Sequence, residues 1–263
     1  MPARYRGHGP GGQGSEANGA RSRARHTPFG YRKPRPGAAR GAATVLGAVD
    51  VGTHACRLLV AVPDWAQGGR APRIIDSYSA SVRLGEDLWQ DGRISDAALD
   101  RAIAALKVCA NRMKKRGVTL SRAIATEACR AASNANDLLE RAEREAGIRL
   151  NIISPEEAAG LAAAGASALI DTESDGAIVF DIGGGSTELI LMRRVNGQGP
   201  FTMAGFVSVP LGVVSLADRH GGRNLAAATA KAMLKELSAA FRDARGALSS
   251  STIDLSQIGR AHV

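Results

Sequence analysis

Ala177-Ile-Val-Phe-Asp-Ile-Gly-Gly-Gly-Ser-Thr-Glu188 decides how the chain is read: an apolar, β-favouring run ends in an acid, three consecutive glycines, two hydroxyl residues and a second acid. The pattern describes a hairpin that grips phosphate. Consecutive glycines let a turn take positive φ and bring bare backbone N–H groups close to an anion. Gly183, Gly184, Gly185, Ser186 and Thr187 are therefore candidate phosphate ligands. Asp181 and Glu188 offer hard oxygens of the kind a divalent cation takes, which makes them the candidate metal ligands. A glycine motif alone is weak evidence, and a plain glycine-rich turn competes with this reading.

A second copy upstream changes the balance. Val45-Leu-Gly-Ala-Val-Asp-Val-Gly-Thr53 is an apolar strand ending in an acid, a glycine and a hydroxyl, and Arg57-Leu-Leu-Val-Ala-Val62 reads as the returning strand. Asp50, Gly52 and Thr53 thus join the candidate phosphate site. Asp50-Val-Gly-Thr and Asp181-Ile-Gly-Gly lie 131 residues apart. A third extended segment is expected near residues 73–82.

Ser95 reads as the N-cap of a helix with an apolar stripe of Leu99, Ile103, Leu106, Ala110 and Met113, closed by Gly117. Cys109 is expected to pack beside that stripe. A strand at 122–126, a helix at about 136–146 ended by Gly147, and a strand at 150–153 follow. Ser154-Pro-Glu-Glu157 is a helix start with proline in the first turn and a Ser-x-x-Glu capping box. The second set then begins, with strands at 178–182, 188–193 and 206–209. A helix after Gly212 is followed by a long helix at about 225–248, with Ala230, Leu234, Leu237 and Phe241 on one face. Two α/β units that begin alike imply an internal duplication facing across a cleft.

The 263 residues carry a net charge of +9, unevenly placed. Residues 1–41 hold nine Arg/Lys against the single acid Glu16, leaving +1 for the remainder. Rich in Gly, Pro and Arg, this stretch is expected to be a disordered basic arm, either a solvated tail or a nonspecific binder of polyanions. Cys56, Cys109 and Cys129 show no disulfide spacing, and no apolar run approaches the length of a membrane span. A cytoplasmic location without membrane attachment is expected.

Together these residues resemble the exopolyphosphatase and guanosine-pentaphosphate phosphatase family, within the actin, sugar-kinase and Hsp70-type ATPase superfamily. The likeness rests on Asp50-Val-Gly-Thr with Arg57-Leu-Leu, Val82-Arg-Leu-Gly-Glu86, Ala125-Thr-Glu-Ala-Cys-Arg130 with Asn134, and Asp181 to Glu188. It implies a duplicated actin-like (ribonuclease H-like) α/β fold, two units around a cleft. Residues 1–43 would be the arm, 44–157 the first unit, 158–248 an incomplete second unit, and 249–263 a disordered tail. The resemblance further implies removal of terminal phosphate from polyphosphate or guanosine pentaphosphate with Mg2+ or another divalent cation. Arg57 and Arg130 would bind phosphate. The oligomeric state stays open, a homodimer being one option.

Two departures stand out. The family places its catalytic glutamate directly before Ala-Arg-Leu, where this chain, aligned on Ile153-Ser154 and Leu161, has Ala158. Glu157, one residue away, is the candidate catalytic replacement, although its capping role also explains it. The other departure is Ile258-Gly-Arg-Ala-His-Val263, which matches one translated frame of a common sequencing-library adapter, so the native reading frame is expected to continue. Three functions follow: a metal-dependent phosphoric-anhydride hydrolase, a catalytically silent phosphate or nucleotide sensor, and a sugar-kinase-like phosphotransferase.

Overall fold

The structure is a computed structural model that describes residues 44–63, 72–171, 173–195, 199–221 and 226–249. The basic arm and the final tail expected from the sequence lie outside the described residues. The first unit opens with β1 (Leu46–Val51), β2 (Ala55–Val62) and β3 (Arg73–Ser81), an antiparallel meander. After α1 (Leu88–Asp91) and α2 (Asp96–Lys115), β4 (Leu120–Ala125) returns parallel to β1, and β5 (Asn151–Ile152) adds outside β4. The sheet order is β3-β2-β1-β4-β5.

Helix α2 forms as its sequence directs. Ser95 Oγ accepts the Ala98 amide at 3.3 Å, which satisfies a donor the first turn leaves open. Leu99, Ile103, Leu106 and Cys109 are buried in one core with Val49, Val51 and Val60 of the sheet. Gly47 lets the helix approach β1, since a Cβ there would stand 2.9 Å from Met113 Sδ. Two short helices, α3 (Glu127–Ala131) and α4 (Ala135–Arg141), follow β4, and α4 runs into a wider π turn over Ala142–Ala146. The sequence pattern showed α4 with its extension, but not α3.

Helix α5 (Pro155–Ala166) begins beside β5 and ends against the second sheet. Ser154 Oγ accepts the Glu157 amide at 3.1 Å, as the capping pattern requires. Ala159 and Ala163 pack on Ile190 and Met192. That sheet contains β6 (Gly176–Ile182), β7 (Thr187–Arg194) and β8 (Phe201–Val209), all antiparallel in the order β6-β7-β8. β8 starts five residues earlier than the apolar run suggested. The central strand β7 is buried from Thr187 to Met192 because α5 covers one face and α7 (Ala227–Ser249) the other.

The apolar face of α7 differs from the expected stripe. Met233, Leu237, Ala240, Phe241 and Ala244 meet Leu189, Val209 and Leu216, whereas Leu234 is 64% exposed. Leu237 and Phe241 belong to both possible stripes, and tertiary contact selects the one rotated toward residue 233. Helix α6 (Val213–Arg219) lies between β8 and α7 in sequence. Among the described residues, no helix is long and apolar enough to cross a membrane.

Candidate functional site

The two hairpins carry the same construction seven residues deep. In the first, Asp50 pairs in register with Arg57; in the second, Asp181 pairs with Glu188. An acid–base pair in one unit therefore corresponds to an acid–acid pair in the other. Both turns are closed by one short bond, Gly52 N to Ala55 O and Gly183 N to Ser186 O, each 2.9 Å.

Helix α6 fixes the second turn from behind. The Val213 amide donates to Gly183 O at 3.0 Å, and the Val214 and Ser215 amides donate to Gly184 O at 2.8 and 3.0 Å. Gly212 makes this possible: a Cβ on it would stand 2.4 Å from the Gly184 carbonyl carbon. The hairpin carbonyls are thus occupied, while the amides of Gly184 and Gly185 donate to no backbone carbonyl among the described residues. The same holds for Thr53 and His54 in the first turn. Free amides on opposed turns make an anion cradle.

Between the turns lies a cavity of about 320 Å³. Its walls include Asp50, Gly52, Thr53, Arg57, Arg130, Asp181, Gly183, Gly184, Gly185, Ser186 and Glu188, so the structure brings nearly every sequence-derived candidate to one place. Thr187 is not among the lining residues. Its hydroxyl donates to Leu211 O at 2.6 Å within the protein, which ties the hairpin to the segment before α6.

Glu157 also stands apart from the cavity. Its carboxylate pairs with the Arg122 guanidinium, while Ala158 lines the cavity wall. Successive helical residues are separated by about 100°, so only one of the two can face the cleft. Glu127 is the functional candidate that sequence reading passed over. It lines the cavity, and its Oε2 accepts from Arg130 Nε and Nη2 at 2.9 and 2.6 Å, while Arg130 Nη1 donates to Ile153 O at 2.7 Å. The i, i+3 spacing of Glu127 and Arg130 on a helix was the available signal. His54 also lines the cavity, with Nε2 3.2 Å from Ser81 Oγ.

Burial pushes the carboxyls of Asp50 and Glu188 above their ordinary range. For Asp50 the nearby Arg57 acts in the opposite sense and Asp181 adds to the rise. Glu188 is 5% exposed and accepts from Ser208 Oγ at 2.9 Å, which offsets burial in part. Asp50 Oδ1 is buried with no hydrogen-bond partner. An orphaned carboxylate oxygen and a like-charged cross-strand pair around Asp181 are costly arrangements. A bound cation would relieve both. No three His, Cys, Asp or Glu side chains among the described residues converge closely enough to hold an ion alone. The carboxylate oxygens of Asp50, Asp181 and Glu188 on the cavity wall are the donor type that a hard divalent cation takes.

Residues 64–259 match the profile of the Ppx/GppA phosphatase family. The chain belongs to this family. Exopolyphosphatase 1 of Mycobacterium leprae is 32% identical over 144 residues, covering 55% of this chain and 42% of that protein. The chain thus spans less than half the length of that curated relative. A crystal structure of an exopolyphosphatase-like protein superposes with a TM-score of 0.69 at 25% identity, over 77% of this chain and 61% of the other. The Ppx/GppA enzyme of Aquifex aeolicus gives a TM-score of 0.60 at 25% identity, over 77% and 64%. The fold is accordingly the two-lobed actin-like fold of the family, and the two sheets are its lobes.

Proposed function

We propose that this chain binds the terminal phosphates of a phosphoric anhydride, inorganic polyphosphate or guanosine pentaphosphate, between its two hairpins and promotes their hydrolysis with Mg2+ or a similar cation. The supporting observation is the shared cavity, where unpaired amides of both turns, two arginines and four carboxylates meet. Phosphoryl transfer needs positioning and charge neutralisation more than covalent chemistry. The turn amides, Arg57 and the donors of Arg130 not held by Glu127 and Ile153 would take the phosphate oxygens. Asp181 and Glu188, with Asp50 beside Asp181, would hold the cation, which when bound neutralises negative charge on phosphate. This moves Asp50 from the phosphate side of the site to the cation side, because its own charge would repel phosphate.

Water must still be oriented for attack, a task for a carboxylate. Glu127, on the cavity wall and bonded to Arg130, would take this role, whereas Glu157 pairs with Arg122. Ala158 favours a second reading, in which the chain binds phosphate chains without turning them over.

Phosphate release from polyphosphate, guanosine pentaphosphate and ATP with candidate acceptors, measured with and without Mg2+, separates the readings when paired with calorimetric binding. Release from either of the first two supports hydrolysis. Binding without release selects the sensor, transfer to an acceptor selects a kinase-like role, and absence of binding defeats all three.

A further inference from the structure

We infer that Cys56 and Cys109 form a dithiol that a small peroxide converts into a disulfide, making a redox modification site inside the first lobe. Cys56 lies on β2, opposite Val51 and Ala80, and Cys109 lies on α2 above that sheet. Their Sγ atoms stand 4.0 Å apart, and both residues are completely buried. A disulfide brings the sulfurs to roughly 2 Å. Closing the remaining gap asks for side-chain rotation and a small approach of strand and helix.

The chemistry balances with hydrogen peroxide as the oxidant. Attack by the Cys109 sulfur breaks the O–O bond, leaving a sulfenic acid and one water. The Cys56 sulfur then displaces the sulfenic oxygen, forming the S–S bond and a second water. Two thiols lose two electrons, and the peroxide gains them. The Cys56 hydrogen bond and the Arg112 guanidinium lower the Cys109 thiol, consistent with its acting first. Burial gives the pair its selectivity: a peroxide enters through local opening, whereas a bulky thiol has no room, so the adjacent cysteine captures the sulfenic acid. Cys129 offers an internal reference, since burial pushes its thiol up to about 12 and Cys56 and Cys109 are hydrogen-bonded only to each other among the three. The new bond would tie α2 to the strand that carries Ala55 and Arg57, both on the cavity wall.

The test treats the native full chain with hydrogen peroxide, then alkylates, digests without reduction and maps peptides by mass. The expected product is one cross-linked pair joining Cys56 to Cys109, two hydrogens lighter, reversed by dithiothreitol, with Cys129 still open to alkylation after unfolding. Cys56→Ser and Cys109→Ser should each abolish the cross-link; Cys56→Ala and Cys109→Ala serve if a buried hydroxyl prevents folding. Three free thiols after peroxide, separate oxidation to sulfinic acids, or bonds between molecules would each overturn the inference.

Discussion

Thr53 and Gly185 meet across the cleft: Thr53 Oγ1 lies 2.9 Å from the point where a Cβ on Gly185 would stand, and Glu127 Cγ lies equally close. The same threonine lies 2.9 Å from the corresponding point on Gly184. The lobes therefore interlock turn against turn, and the glycines are required by close approach rather than by positive φ, which neither adopts.

Gly185→Ala should force the turns apart. The expected cost is about 1–3 kcal/mol of stability, typical of overpacking, together with at least about tenfold weaker tripolyphosphate binding, since the cradle depends on both turns. Thermal melting and titration calorimetry check the two effects separately. Unchanged binding would mean that the turns act independently.

The buried acids make stability depend on pH in a stated direction. Asp50 and Glu188 have folded-state pKa values raised above their ordinary 3.8 and 4.5. Folding therefore favours their protonated forms: that stabilisation is complete below the unfolded values and lost as pH rises through the raised folded values. Asp50→Asn should melt higher than the parent at neutral pH and no higher below about pH 4. Mg2+ should raise the melting temperature of the parent at neutral pH more than that of the variant.

Ala158→Glu would place a carboxylate on the cavity wall, at the position where the sequence resemblance leads one to expect a catalytic glutamate. Phosphate release from polyphosphate should rise by roughly 10²-fold or more, in the range general-base groups contribute. If the parent already matches the variant, Ala158 imposes no limit on turnover.

Glu127→Gln should lower phosphate release by roughly 10²-fold or more while tripolyphosphate still binds, because the amide keeps an oxygen for Arg130 but cannot take a proton. Loss of binding and release together would instead mark Glu127 as a support for Arg130.

Glu157→Ala should leave phosphate release unaltered. Its partner Arg122 and Glu157 itself have side chains 48% and 38% exposed, and removing such a surface pair costs at most about 1 kcal/mol. A fall in release with no change in melting would return Glu157 to the candidate catalytic groups.

Much of this architecture was legible in the residues. The two hairpins announce themselves by acid, glycine and hydroxyl after an apolar strand, and the seven-residue spacing from Asp50 to Arg57 and from Asp181 to Glu188 places each pair opposite in register. Ser95 and Ser154 start their helices by bonds that span three residues. Local geometry dictates such features, so local sequence reveals them.

Other features were decided by partners far along the chain. Thr187 gives its hydroxyl to Leu211, 24 residues away, and α7 turns Met233 rather than Leu234 toward the sheet. Periodicity alone leaves a helix free to rotate by one residue, and a hydroxyl carries no mark of its acceptor. The sequence by itself determined that two glycine-containing hairpins exist and which acids, hydroxyls and arginine they carry. Only the tertiary structure decided which neighbours face the cavity: Ala158 and Glu127 line it while Glu157 pairs with Arg122, because a side chain's direction is set by the surfaces its element packs between.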